Sequence, residues 1–311
     1  MKRFKKICRK TQKQLIPYLF ECLKFGGYTE VIKQDGFIYA KGDIPILLTA
    51  HMDTVHDKPV QTIFERTVQG KTQLFSPQGI GGDDRCGIYM ILEIIKTHKC
   101  SVLFCEDEEI GCIGSTKFCN SEYINELTEM KYLIELDRAN ANDAVFYSCD
   151  NLEFTNFITE NTGYKKAYGS FSDISHLAPK CKVAAVNLSC GYHNPHMKGE
   201  YVVIEEMLNT IQVVKDLLEV ECEQFEYIEK KYQSNYYSYG SYSSDYYGAL
   251  NRTSYDNTIT VTLVIQYLKE GKIEKDWIVA ASRYEAFGKF FLRNPSVKFT
   301  DVIDYECDYG L

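Results

Sequence analysis

Short apolar segments alternate with amphipathic helical segments from residue 12 to residue 220, and that alternation restricts the chain to an α/β sheet covered on both faces. Residues 12–24 place Leu15, Ile16, Leu19 and Leu23 at helical spacing, with Pro17 read in the first turn, where proline is tolerated. Strands are expected at Phe37–Ala40 and Ile46–Ala50, the second running straight into His51-Met52-Asp53. The stretch 60–76 alternates around Gln69-Gly70-Lys71 and reads as a hairpin. A helix is expected near Asp84, because Cys86, Met90, Ile91, Ile94 and Ile95 share a face. Val102–Cys105, Tyr132–Leu136 and Val183–Leu188 read as strands, Ser115–Cys119 opens a helix, and 201–220 reads as an amphipathic helix.

Composition narrows the class further. With 311 residues, 45% hydrophobic and 25% charged, the chain can fill a sizeable core and is no disordered chain, collagen or rod. Its longest apolar runs, such as Pro45-Ile46-Leu47-Leu48, are too short to span a bilayer, so no membrane partner is expected. Lys and Arg total 35 against 43 Asp and Glu, a net charge of −8. Such a surface repels phosphate backbones, so no nucleic-acid partner is expected. The basic start, Met1 to Lys6, is not followed by the apolar run of a secretory signal. Twelve cysteines without a Cys-x-x-Cys exclude a zinc ribbon or thioredoxin motif, and reduced thiols in a cytoplasmic protein are expected.

The domain reading is tripartite. Residues 1–225 form the main domain, 226–256 a linker or mobile loop, and 257–311 a small C-terminal α+β unit. Residues 232–247 hold seven tyrosines and five serines and no aliphatic residue, a composition unsuited to a packed element. Beyond them Ile259–Tyr267, Ile278–Phe291 and Val297–Ile303 read as strand, helix and strand, with the only tryptophan at Trp277.

The polar residues fall where chemistry would be placed. His51, Asp83, Glu108, Glu109, Asp137 and His196 lie at or just beyond the carboxyl ends of expected strands, the edge at which open α/β sheets bind ligands. Alone, each has an ordinary explanation. His-x-Asp occurs by chance, and Gly81-Gly82-Asp83-Asp84 could be a capped helix start. Glu106–Glu109 could be a solvated loop, though four successive acids repel one another unless a cation neutralises them. Together they make a nitrogen and oxygen ligand set without thiolate, which suits zinc, or less specifically cobalt or manganese.

The ordered set resembles the zinc exopeptidase superfamily, the clan of co-catalytic peptidases and amidohydrolases that includes families M20, M28 and M42. The resemblance covers about residues 12–220: His51-Met52-Asp53 at a strand end, Asp83-Asp84-Arg85-Cys86-Gly87, Glu108-Glu109-Ile110-Gly111, the strand-end Asp137, and His196 with Glu200 four residues on. It implies a mixed, mostly parallel central sheet and two divalent metal ions, zinc foremost. One ion would be held by His51, Asp83 and Asp137, and the other by Asp83, Glu109 and His196. Glu108 would act as general base toward a metal-bridging water, and Asp53 would orient His51. The Arg two residues after Asp83 selects it over Asp84 in the motif, and Glu200 favours His196 over His193.

The departures matter as well. Only 58 residues separate Asp137 from His196, too few for the lid domain that M20 members insert there. The lid's oxyanion-stabilising group would have to come from elsewhere, with His193, Tyr192, Ser172 and Asp173 as candidates, while His56 and His98 read as surface residues and His176 as structural. The implied activity is hydrolysis of a peptide bond, foremost by an aminopeptidase or small-peptide peptidase acting on small peptides. The alternatives are an N-acyl amino acid deacylase, or a non-catalytic relative that binds through its tyrosine-rich segment.

Overall fold

The computed structural model describes residues 1–56, 58–230, 261–269, 272–280, 289–290, 293–294 and 302–308. Two helices open the chain, α1 (Lys2–Cys8) and α2 (Gln12–Phe25), followed by strands β1 (Ile32–Gln34), β2 (Phe37–Ala40) and β3 (Ile44–His51). The hairpin β4 (Phe64–Val68) and β5 (Lys71–Phe75) precedes α3 (Gly82–Ile94), β6 (Cys100–Cys105) and α4 (Ile113–Cys119). A 3₁₀ segment (Glu122–Glu129) leads to β7 (Tyr132–Arg138), β8 (Asp143–Val145), α5 (Leu152–Thr162), β9 (Lys165–Ala167) and α6 (Asp173–Cys181). The main unit ends with β10 (Ala185–Ser189), β11 (Tyr192–His193), β12 (Tyr201–Val203) and α7 (Ile204–Leu218).

The eight-stranded sheet runs in the order β1-β2-β6-β3-β7-β10-β8-β9. Its centre, β6-β3-β7-β10, is parallel throughout, and β2 and β8 join it antiparallel. The expected mixed, mostly parallel α/β sheet is therefore what forms. A four-stranded antiparallel sheet, β11-β12-β5-β4, stands beside it. One face of the main sheet buries residues of α1, α2, α3, α5 and α7, and the other buries α4, the 3₁₀ segment and α6. Leu47 points to one face and Leu48 to the other, each without solvent exposure. Such a side chain contributes about 1.5–3 kcal/mol relative to an exposed one. Buried on both faces, these strands read as continuous apolar runs rather than alternating ones.

The strand order also creates the place for a site. From β3 the chain crosses to β6 on one side and then to β7 on the other, so the sheet has a switch point at the end of β3. Residue 51 lies beside 105 in register, and Asp137 is next to last in β7 on the opposite flank. Gly87 lets α3 sit close against this edge, since a Cβ there would lie 1.9 Å from the Leu136 carbonyl.

Several expectations shift. Helix α2 begins at Gln12, set by a capping box between Thr11 and Gln14, so Pro17 lies in its second turn rather than its first. Tyr201–Val203 are strand, not helix, because they pair with β5 through Tyr201↔Phe75 and Val203↔Gln73. Residues 226 and 229 bridge to Val183 and Cys149, so the expected linker cannot begin at 226. The tyrosine-rich stretch 232–247 lies outside the described residues.

Chain contacts divide the protein into two units, Met1–Tyr232 and Gln233–Leu311. In the second, β13 (Val261–Lys269), β14 (Lys272–Ala280) and β15 (Val302–Asp308) form an antiparallel sheet with β13 central. Residues 278–280, expected to open a helix, instead end β14. Antiparallel pairing with β13 from Lys269↔Lys272 to Val261↔Ala280 holds them. The remainder of that expected helix lies largely outside the described residues. Among the described residues, eleven cysteines are free thiols, and no helix is long and apolar enough to cross a membrane.

Candidate metal centre

His51 is the last residue of β3 and fully buried. Its Nδ1 lies 3.1 Å from Asp53 Oδ1, which fixes the ring so that Nε2 faces the carboxylates beyond. Nε2 approaches Asp83 Oδ1 at 2.9 Å and Asp137 Oδ1 at 3.5 Å. The other Asp83 oxygen, Oδ2, lies 3.2 Å from His196 Nε2, which in turn is 3.0 Å from Glu109 Oε2. Two groups result, His51/Asp83/Asp137 and Asp83/Glu109/His196, each offering donor atoms within 4.8 Å of one another. Asp83 belongs to both, one oxygen to each.

The turn around Asp83 also explains why its neighbour Asp84 stays apart. Asp84 is fully buried and spends both oxygens on backbone amides, Oδ2 on His51 at 3.2 Å and Oδ1 on Gly87 at 2.8 Å. Arg85, also buried, donates to the carbonyls of Met52, Asp53 and Lys10. The Asp-Asp-Arg run thus stitches the start of α3 to the end of β3 and leaves Asp83 alone facing the histidines.

Asp53 has a second task. Beyond holding His51, its two oxygens accept the amides of Glu108 and Glu109, each at 3.0 Å. Glu108 and Glu109 sit in a turn after β6 rather than in extended chain, with the Glu108 carbonyl accepting from the Gly111 and Cys112 amides. Glu109 enters the second group. Glu108 stays out of both and accepts from the Cys112 thiol at 3.7 Å.

Asp137 is held through its backbone, its amide donating to Asn187 Oδ1 and its carbonyl accepting from Asn187 Nδ2. Tyr192, buried on β11, points its hydroxyl at the Asp137 carboxylate and carbonyl, both at 3.2 Å. A phenol carries one proton, and both acceptors within its reach belong to Asp137.

The electrostatics show what the cluster lacks. Burial and the neighbouring Asp83 push Asp137 up to about 7, and burial with Asp83 also raises Glu109. Burial would lower both histidines, yet Asp137 holds His51 well above its ordinary range, and Asp83 and Glu109 push His196 up to about 12. Asp83, flanked by both rings, is depressed despite its burial. Three carboxylates thus compete for the positive charge that two imidazoles can supply. Glu109 Oε1 is buried with no partner at all. An acid-rich nitrogen and oxygen donor set with an orphaned oxygen fits divalent cations. Glu108 is raised well above the ordinary carboxylate range by burial first, with Asp137, Asp173 and Glu109 adding to it.

The remaining candidates lie elsewhere. His193 faces away from Tyr192, pairs with Glu206 at 2.6 Å and stacks on Tyr201 at 4.9 Å, so it enters neither group. Ser172 caps α6 and donates its hydroxyl to the buried Glu135. Asp173 is a fully buried carboxylate that burial raises, and it offers no fixed donor for an oxyanion. His193 Nε2 and the hydroxyls of Tyr192 and Ser172 each meet a carboxylate, and Asp173 is itself an acid. His56 and His98 are not free surface residues, since their rings pair with Glu200 at 3.3 Å and Glu219 at 2.7 Å. His176 is exposed on α6, and its backbone carbonyl accepts from the Cys119 thiol. Sequence patterns single out neither Asn187 nor His56, and only the folded chain shows their contacts.

The same kind of fold also occurs among solved exopeptidases. Aminopeptidase PepT from Bacillus cereus is similar in fold at 14% identity, with a TM-score of 0.56 over 70% of this chain and 96% of that one. A tripeptidase from Staphylococcus aureus gives 12% identity and a TM-score of 0.54 over 70% and 96%. A Zn-dependent exopeptidase from Parabacteroides distasonis gives 16% and 0.50 over 69% and 94%. None of the curated proteins compared matches the sequence. The profile of peptidase family M28 matches residues 38–194, half of the chain, and the protein belongs to that family. It is accordingly a metallopeptidase, a hydrolase of peptide bonds.

Proposed function

We propose that the protein is a dinuclear aminopeptidase or small-peptide peptidase. The observation that carries this reading is Asp83, whose two carboxylate oxygens face separate histidines, each accompanied by a further acid. One ion is assigned to His51, Asp83 and Asp137, and the other to Asp83, Glu109 and His196, with zinc first among divalent metals for such donors. Bound there, the ions supply Lewis acidity toward water and the scissile carbonyl.

The chain's own residues do the rest. Glu108 accepts the proton of the attacking water at its carboxylate and delivers it to the leaving amine. Its burial among acids favours holding that proton between the two steps. Asp53 keeps His51 oriented and, by holding both amides, fixes the base relative to the ligand beside it. Tyr192 and Asn187 restrain Asp137. A free α-amine of a peptide suits a mouth lined by carboxylates, which supports an aminopeptidase over an enzyme that grips a substrate carboxylate. The related aminopeptidase and tripeptidase structures agree with it.

A panel of aminoacyl amides, di- and tripeptides and their N-acylated counterparts, assayed on protein of measured metal content, tests this. Free-amine substrates should be cleaved, with about two ions per chain. Faster turnover of the acylated set would make the protein a deacylase instead.

A further inference from the structure

Glu200 has no solvent exposure to speak of, 1%, and yet carries a carboxylate. Each oxygen takes a backbone amide from the turn bearing Asp83, Oε2 that of Gly81 at 2.7 Å and Oε1 that of Asp83 itself at 3.0 Å. Oε2 also lies 3.3 Å from His56 Nε2, a residue of the loop that continues from His51 and Asp53. Glu200 itself closes the loop that bears His196, where its own amide donates to the Met197 carbonyl at 3.0 Å. One side chain therefore joins three segments, each of which supplies a candidate ligand.

The surroundings are shaped to these contacts. A Cβ on Gly79 would fall 2.1 Å from the His56 ring, and a Cβ on Gly82 would fall 3.1 Å from Glu200 Oε1. The turn before Asp83 thus passes close to both side chains only because it is built of glycine. The two donor groups are also anchored unequally. His51 and Asp137 stand on strand ends inside the sheet, whereas His196 sits in a loop with 37% of its side chain exposed. No strand or helix holds residues 194–200, so the buried Glu200 is the polar anchor of that loop.

We infer that Glu200 is a positioning residue which sets the reach of His196 to Asp83, with His56 extending the tie to the His51 loop. The inference rests on the two-ion reading above. Losing the tie acts selectively: the Asp83/Glu109/His196 group loosens, while the His51/Asp83/Asp137 group keeps its strand-borne members.

Glu200→Gln keeps the shape and at least one acceptor, and Glu200→Ala removes both. The full chain of each variant, and of His56→Ala, is freed of metal and titrated with Co²⁺ while absorbance and bound metal are followed. Thermal unfolding by circular dichroism runs alongside. The wild type should take up two ions in two resolvable steps. Glu200→Ala should weaken one step by about 10–100-fold, the usual cost of removing a hydrogen-bonding partner of a ligand. The other step and a cooperative melt should persist. Glu200→Gln should lie between the two, and His56→Ala nearer the wild type. Two unchanged steps in Glu200→Ala overturn the inference, as does equal weakening of both steps in Glu200→Gln with a cooperative melt. A wild type that binds no metal instead overturns the two-ion reading itself.

Discussion

The two donor groups share Asp83 but are built from different material. His51/Asp83/Asp137 draws two of its members from the ends of β3 and β7, which pair in register inside the parallel sheet. Asp83/Glu109/His196 draws its other members from a turn after β6 and from a loop after β11. In the first group His51 and Asp137 stand on sheet strands, with only about a tenth or less of any side chain exposed, and the second is loop-borne beyond Asp83 and reaches solvent through His196. The contrast teaches that one donor group rests mainly on strands and the other mainly on side-chain ties to loops. On the two-ion proposal, rigidity and metal exchange at the two groups should differ accordingly.

The largest effect is expected where the groups meet. Asp83→Ala should abolish peptide hydrolysis and reduce bound metal at both centres, measured by metal analysis of the purified variant. Retention of one full equivalent would show that the groups are independent. Next, Glu108→Gln should lower kcat by about 10²–10⁴, the worth of general acid–base catalysis, with metal content unchanged. Glu109→Gln should instead lose metal and regain part of its activity in excess metal. The reverse pattern would move the base by one residue.

Graded chelation sharpens the comparison at smaller scale. One ion should leave before the other, and His196→Ala should eliminate the early step alone, as followed by metal analysis after dialysis against increasing chelator. Simultaneous loss in the wild type would place both centres on one footing. The smallest effect is reserved for His193→Ala, which should leave metal content and kcat unchanged because its ring is engaged by Glu206 and Tyr201. A loss of bound metal there would reopen the choice between the two histidines of the loop.

Much of this was legible in the residues. The strand segments ending at His51, Cys105 and Asp137 stand out because parallel strands buried on both faces are mostly apolar, with isolated buried polar residues such as Thr49, Ser101 and Glu135, and polar residues gather where the strand ends. The capping box at Thr11 is equally local, and it fixes the start at Gln12, which moves Pro17 from the expected first turn to the second. The edge elements β8 and β9 and the helices α5 and α6 went unforeseen. They are short, or packed by mixed residues such as Asn151 and Ser172 whose roles depend on partners far along the chain. Residues 278–280, the end of β14, read as the start of a helix because a short apolar run has no decisive period, and pairing with β13 settles them as strand.

By itself the sequence determined the α/β class, the order of the donor residues and their chemical type, because periodicity and side-chain chemistry are local properties. The motif already preferred Asp83 to Asp84 and His196 to His193, but only the tertiary structure shows Asp84 spent on backbone amides, His193 paired with Glu206, and His56 and Glu200 tying three loops together. Those outcomes depend on which amides and carboxylates meet across more than thirty positions of chain, from His51 to Asp84 and from Gly81 to Glu200. Buried polar groups must find partners wherever the fold brings them, and no window of sequence records where that is.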